Sequence, residues 1–216
     1  WRNPARARSE LCPGPCLARL HIGTRKIPGV YDEDINDRGL ELINQARDLD
    51  ENDSEVYRIL SALNTNMGKH AQADRFVERA IALNPNDPKI LCQKCELLIW
   101  KDRPGEGLQW LQAAKRRDPI MEEPWWRFSG RAYFELKNAD LAQEALDLIR
   151  HMLLIDRACL VASFAYLGRS AKAKSGAANI TQLAREFDVV KFLKSQPYLS
   201  QESRDHLAEG LGKTGM

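Results

Sequence analysis

The chain has no uninterrupted apolar run of the roughly 18–20 residues that a membrane-crossing helix needs. Its longest candidate, Met152 to Gly168, is broken by Asp156-Arg157, so no membrane contact is expected. A charge bias is also missing: 32 Lys and Arg stand against 30 Asp and Glu, a formal net charge of +2. Without a basic excess there is no electrostatic footprint for a phosphate backbone, and direct nucleic-acid binding by this segment is not expected. No alternating apolar run is bounded by hairpin turns, which argues against strands. Cysteine is sparse and odd in number at five, with no signal-like apolar core. The chain therefore reads as cytoplasmic and reduced, and its start at Trp1 reads as that of an excised or processed fragment.

Constellations for chemistry are equally thin. Cys92 and Cys95 form a C-x-x-C, and Cys12 and Cys16 flank Pro13-Gly14-Pro15. A zinc site needs further Cys or His at ligand spacing, and His21, His70, His151 and His206 are scattered. Cys95 is read as a packing residue at a position that wants a small side chain. No catalytic residue, metal or cofactor is expected.

What the sequence does have is a period. Glu51, Pro85 and Pro119 lie 34 residues apart, each closing a helix-like segment, and DLDEND (48–53), ALNPND (82–87) and RRDPIM (116–121) share one register. Small residues keep the same step: Ala46, Ala80 and Ala114; Gly39, Ala73 and Gly107; Ser61, Cys95 and Ser129. Tyr57, Leu91 and Trp125 keep it too. Small side chains at fixed places let helices approach closely. A unit this short cannot bury its apolar face alone, so the period predicts stacked helical hairpins and a function carried by a surface.

On these residues the chain resembles the tetratricopeptide repeat family. The best copy is 54–87, with Tyr57, Leu60, Ser61, Gly68, Ala73, Ala80 and Pro85 in place; 88–121 follows with Leu91, Cys95, Gly107, Leu111, Ala114 and Pro119. A TPR-like repeat over 122–153 carries Trp126, Gly130, Tyr133, Ala142 and Leu146 after a one-residue slip, and another over 154–186 keeps FAYLGRSAKA. The resemblance implies an all-α, right-handed superhelical solenoid of antiparallel helical hairpins, with about four to five repeats plus a C-terminal capping helix. Residues 1–53 are expected to form a linker and an atypical first hairpin whose second helix runs from about Asp34 to Leu49. Residues 187–216 are expected to cap the array, the whole forming one continuous domain.

The inner wall of such a solenoid is lined chiefly by the first helix of each hairpin, and residues three or four apart share a face. The expected face holds Arg58, Ala62 and Thr65, then Lys89, Cys92, Glu96 and Ile99, then Arg127, Arg131 and Phe134. It reads as a mildly basic channel for an extended or helical peptide carrying acidic groups. Trp125-Trp126 reads as half core, half surface.

The tail carries a second resemblance. Phe187, Phe192, Pro197-Tyr198, Leu207, Gly210, Leu211 and Gly215 resemble the ending that follows repeats in bacterial class III adenylate or guanylate cyclases and related winged-helix regulators, as does Asn3 to Leu20 the linker after their catalytic domain. This implies a regulatory interaction module of a bacterial signalling protein, non-catalytic in itself. The alternatives it leaves open are a dimerisation module supporting a cyclase domain directly, with a homodimer as partner state, or a ligand-sensing region of a winged-helix regulator.

Overall fold

A computed structural model describes residues 33–184 and 187–216, with side chains from Asp37 onward. The opening segment, including Cys12, Cys16 and the first helix expected over Leu11 to Ile22, lies outside the described residues. The described elements are all helical: α1 (Glu33–Leu49), α2 (Ser54–Asn66), α3 (His70–Leu83), α4 (Pro88–Trp100), α5 (Pro104–Arg117), α6 (Glu123–Glu135), α7 (Ala139–Leu146), α8 (Leu154–Tyr166), α9 (Ser170–Leu183), α10 (Val189–Ser195) and α11 (Gln201–Gly212).

Local chemistry sets where several of the helices begin. Asp53 and Asp87 sit in extended conformation and their carboxylates accept from the amides of Glu55 and Lys89 at 2.8 Å, satisfying donors that the first turn leaves unpaired. Pro88 and Pro104 occupy first positions, where a missing N–H costs nothing. Helices α2 and α8 end on Gly68 and Gly168 with φ of +69° and +68°, a conformation glycine adopts without strain.

From α1 to α9 each helix packs on the next, giving hairpins α2–α3, α4–α5, α6–α7 and α8–α9, and each first helix also touches the first helix of the following hairpin. These four first helices, α2, α4, α6 and α8, form one wall. The repeated small positions are where hairpins close: Ser61, Cys95, Ala73, Ala80 and Ala114 are all completely buried. The first helices start at 54, 88, 123 and 154, steps of 34, 35 and 31. The one-residue slip moves the close approach in the third hairpin from Ser129 to Gly130, where a Cβ would stand 2.7 Å from Leu146 Cγ. Trp125 and Trp126 are both half-buried and face different clusters, Trp125 the one around Leu91 and Leu111, Trp126 the one around Phe134 and Leu146.

The C-terminal segment closes the core lengthwise. Phe192, Tyr198, Leu207 and Leu211 are buried in the same cluster as Trp100, Phe134 and Phe164. After α9 the chain doubles back toward the end of α4, and α11 then runs forward again past α6 to pack on α8. The C-terminal segment therefore lies across three hairpins.

Candidate functional site

The wall of first helices divides into two halves. In the first, Arg58 is half-buried and its guanidinium makes a two-pronged pair with Glu55 one turn earlier, both contacts at 2.6 Å. Lys89 is exposed and enters no ion pair among the described residues. Glu96 is half-buried and reaches Arg131 Nη1 at 3.6 Å. Ala62 lies half-buried between these groups.

Further along, the face expected from helical spacing turns inward. Thr65 is buried and its hydroxyl donates to the Ser61 carbonyl at 2.8 Å; Cys92 packs its sulfur 3.4 Å from that of Met121; Ile99 is core. Arg131 is 4% exposed and Phe134 1%. Thr65, Arg131 and Phe134 are thus not open groove residues, because neighbouring helices and the tail cover them. Arg127 stays half-exposed, its Nε donating to Asp156 at 3.0 Å and its Nη2 to the His151 carbonyl at 2.7 Å.

Asp156 is the centre of this half. It is completely buried, accepts from Arg131 Nε at 2.7 Å and Arg127 Nε at 3.0 Å, and also caps α8 by accepting the Leu153 amide at 2.8 Å. One carboxylate therefore fixes two arginines of the preceding hairpin, and Glu96 shares Arg131. On the expected face the charges of Arg58, Arg127 and Arg131 are each answered by a carboxylate within the fold, and Lys89 is left as its outward cation.

The tail fills the far part of the wall. Tyr198 meets Trp100 edge-on at 4.7 Å, and the next amide, of Leu199, donates to the Trp100 carbonyl at 2.9 Å. Ser200 and Ser203 both donate to Asp102 Oδ1, at 2.8 and 2.9 Å. Lys137 pairs with Glu202 at 2.7 Å. His206 stacks on Tyr166 and lies against Phe134, each at 4.7 Å, and the Tyr166 hydroxyl donates to its carbonyl. At Gly210 the helices nearly touch: a Cβ there would be 2.5 Å from that of Ala162. Two clefts, of about 310 and 700 Å³, flank α11 on either side of Lys137. Glu135 borders the smaller one, and burial, against opposing hydrogen bonds from Ser203 and Tyr198, pushes its carboxyl up to about 7.

Sequence spacing did not find these groups, yet one signal was available. Asp102 and Lys137 stand in the inter-helix turns where the first and fourth hairpins have Gly68 and Gly168. They share the left-handed conformation, with φ of 58° and 59°. For side chains other than Gly this costs roughly 1–2 kcal/mol.

Cys92 and Cys95 face the packed interior, not a ligand. Burial drives the Cys92 thiol up to about 12 and raises that of Cys95 well above the ordinary thiol value, which disfavours the thiolate that metal binding or redox exchange requires. Among the described residues no group of three or more His, Cys, Asp and Glu could hold a metal, and no helix is long and apolar enough to cross a membrane.

Solved structures share this arrangement. A chain of the crystal structure of the APC/C hetero-tetramer Cut9-Hcn1 superposes over 83% of this chain and 34% of its own, with a TM-score of 0.63 at 18% identity. PilW, a widely conserved type IV pilus biogenesis factor, matches over 85% and 92% (TM-score 0.60, 13% identity), and PilF of Pseudomonas aeruginosa over 95% and 89% (TM-score 0.60, 15% identity). The fold is a tetratricopeptide-like helical solenoid. At these identities the likeness concerns the fold alone. No family model matches the chain. A 96-residue stretch is 28% identical to protein O-mannosyl-transferase TMTC1 of Mus musculus, covering 38% of this chain. The chain spans about a tenth of that relative and about a third of the Cut9-Hcn1 chain.

Proposed function

We propose that this solenoid is a protein–protein interaction module, non-catalytic in itself, whose inner wall over α2 and the first half of α4 receives a peptide segment of a partner. The observation that carries the reading is the contrast along the wall: the far part is filled by the chain's own tail, while Arg58, Lys89 and Glu96 keep surface exposed to solvent. Lys89 supplies the outward positive charge that favours an acidic group on the peptide, with Arg58 able to exchange Glu55 for a partner carboxylate in the same two-pronged geometry. Arg127 forms the far boundary.

The tail sequence, from Phe187 through Gly215, supports a place beside a bacterial cyclase domain or a winged-helix regulator, in the cytoplasm. The chain's effect would then be exerted through partner contact or through self-association as a homodimer. Sedimentation at high protein concentration tests the latter; a monomer throughout excludes it.

For the groove, the test is a random-peptide display selection against the chain, with recovered peptides measured against Arg58→Ala and Lys89→Glu variants. Acid-containing peptides that lose at least ten-fold in affinity to both variants support the reading. Peptides that bind all three proteins equally overturn it.

A further inference from the structure

The C-terminal segment meets hairpins 2 to 4 as a bound peptide meets a receptor. An aromatic anchor, Tyr198, enters against Trp100 with a backbone hydrogen bond beside it. Polar side chains of the tail are then read by Asp102 and Lys137, and the small face at Gly210 lets the helix lie flat on Ala162. This is the helix-in-groove mode, extended by a Pro-Tyr leader.

The second observation is where the strain sits. Hairpins 1 and 4 put Gly in the left-handed turn position, whereas hairpins 2 and 3, whose turns reach polar side chains of the tail, put Asp102 and Lys137 there. The side-chain hydrogen bonds of both residues go to the tail: Asp102 takes Ser200 and Ser203, Lys137 takes Glu202. Strained residues persist where the surroundings hold them, and they concentrate at clamps and switches. The third observation is the pair of clefts along α11, which leave the helix gripped along one stripe and open on its flanks.

We propose that Gln196–Gly212 is an internal ligand, clipped by Asp102 and Lys137, and that the surface beneath it is a docking site for a partner helix of the same chemistry. That chemistry is a Pro-Tyr leader, hydroxyls at the N-cap and three residues on, an acid between them, and a Leu-x-x-Gly-Leu face. The proposal rests on the reading of the chain as an interaction module, and it concerns the other half of the wall. Opening of the clip exposes Trp100, Phe134 and Ala162, so partner binding and tail release are one equilibrium.

The test uses the full chain and a fluorescent peptide of sequence Ser195–Thr214, read by anisotropy. In the unaltered protein the tail competes and the peptide binds weakly. In the Asp102→Gly, Lys137→Gly double variant both turns relax while both grips are lost, so the helical content holds and the peptide binds at least ten-fold more tightly. A peptide with Tyr198→Ala and Gly210→Val loses that binding. Equal affinity for the two proteins, or binding indifferent to the peptide changes, overturns the proposal. Should the double variant fail to fold, hydrogen exchange of the unaltered chain decides. Amides of α11 that exchange faster than those of α8 support a releasable tail, and exchange of both only by global unfolding makes it permanent core. Because the selection against α2 and α4 reads Arg58 and Lys89, each reading can fail while the other stands.

Discussion

At the near end of the wall Arg58 is paired within its own helix, whereas at the far end the arginines are held by the following hairpin and the turns of hairpins 2 and 3 are tied to the tail. Arg58 answers Glu55 within one turn, while Lys94 and Lys101 tie hairpin 2 to Asp74 of hairpin 1. Arg127 and Arg131 instead converge on Asp156 of the following hairpin, while Asp102 and Lys137 bind a tail 65 to 101 residues further on. The first arrangement leaves a surface that can be lent to a partner. The second locks repeats together and commits the surface to the chain itself. A periodic scaffold thus becomes asymmetric through a handful of non-periodic side chains.

The comparison is broken most forcefully at Asp156. Its replacement by Ala takes the nearest carboxylate from two buried or half-buried guanidinium groups, leaving Arg131 only Glu96 at 3.6 Å and Arg127 only Glu123 at 3.7 Å, and is expected to cost about 3–5 kcal/mol in urea unfolding. In the first half, Glu55→Ala removes a partly exposed pair within one helix and is expected to cost less than about 1 kcal/mol. Equal losses at the two sites would erase the distinction.

Gly210→Val comes next. The added Cβ meets Ala162 Cβ at 2.5 Å and the Ala162 Cα at 3.1 Å, so α11 must shift, at an expected cost of about 1–3 kcal/mol. Faster hydrogen exchange should follow in α11 with little change in α2 to α5. Uniform acceleration along the chain would contradict a tail that opens separately.

A smaller effect is expected from pH. Burial raises the Glu135 carboxyl to about 7, so the folded chain favours its neutral form. The Ser203 and Tyr198 hydroxyls and Lys137 pull the other way, and Asp102 adds to the rise. Stability from this group is complete below the ordinary carboxyl range and is lost as pH rises through about 7. His206 has the opposite sense: burial first, then Lys137, lower its affinity for a proton, while Glu202 and Glu209 oppose. Its contribution is present above the ordinary imidazole value of 6.5 and is lost as pH falls below it. Protection of α11 is therefore expected to fall as pH rises through about 7, and Glu135→Gln should flatten that fall. An unchanged profile in that variant would remove Glu135 from the docking equilibrium.

The smallest stability effect belongs to Lys89→Glu, expected within about 0.5 kcal/mol because the side chain is exposed and makes no ion pair among the described residues. A larger loss would mean that the first half is also structurally committed.

The scaffold was legible because its determinants recur. The Asp87-Pro88 start, the glycines closing α2 and α8, and the small residues Ser61, Cys95, Ala73 and Ala114 are local or periodic, and they mark where helices begin, turn and touch. The slip at Trp125-Trp126 was visible too, and the structure converts it into the shift from Ser129 to Gly130. The site was less legible. Helical spacing put Arg58, Lys89 and Glu96 on the wall, but it could not tell that Phe134 lies under His206 or that Arg131 is held by a carboxylate 25 residues away. The tail was expected as a cap from composition and position. Its path depends on single contacts to Trp100, Asp102 and Lys137, and single contacts leave no period in a sequence.

The division of the wall is tested most directly by zero-length carbodiimide coupling, which joins only amines and carboxylates already in contact, followed by mass spectrometry of the fragments. Lys137 and Glu202 stand 2.7 Å apart across the tail interface, and Lys94 and Glu78 stand 2.6 Å apart in the first half as an internal reference. Both cross-links are expected. Coupling of Lys94 to Glu78 without any of Lys137 to Glu202 would contradict a tail seated across hairpins 2 to 4.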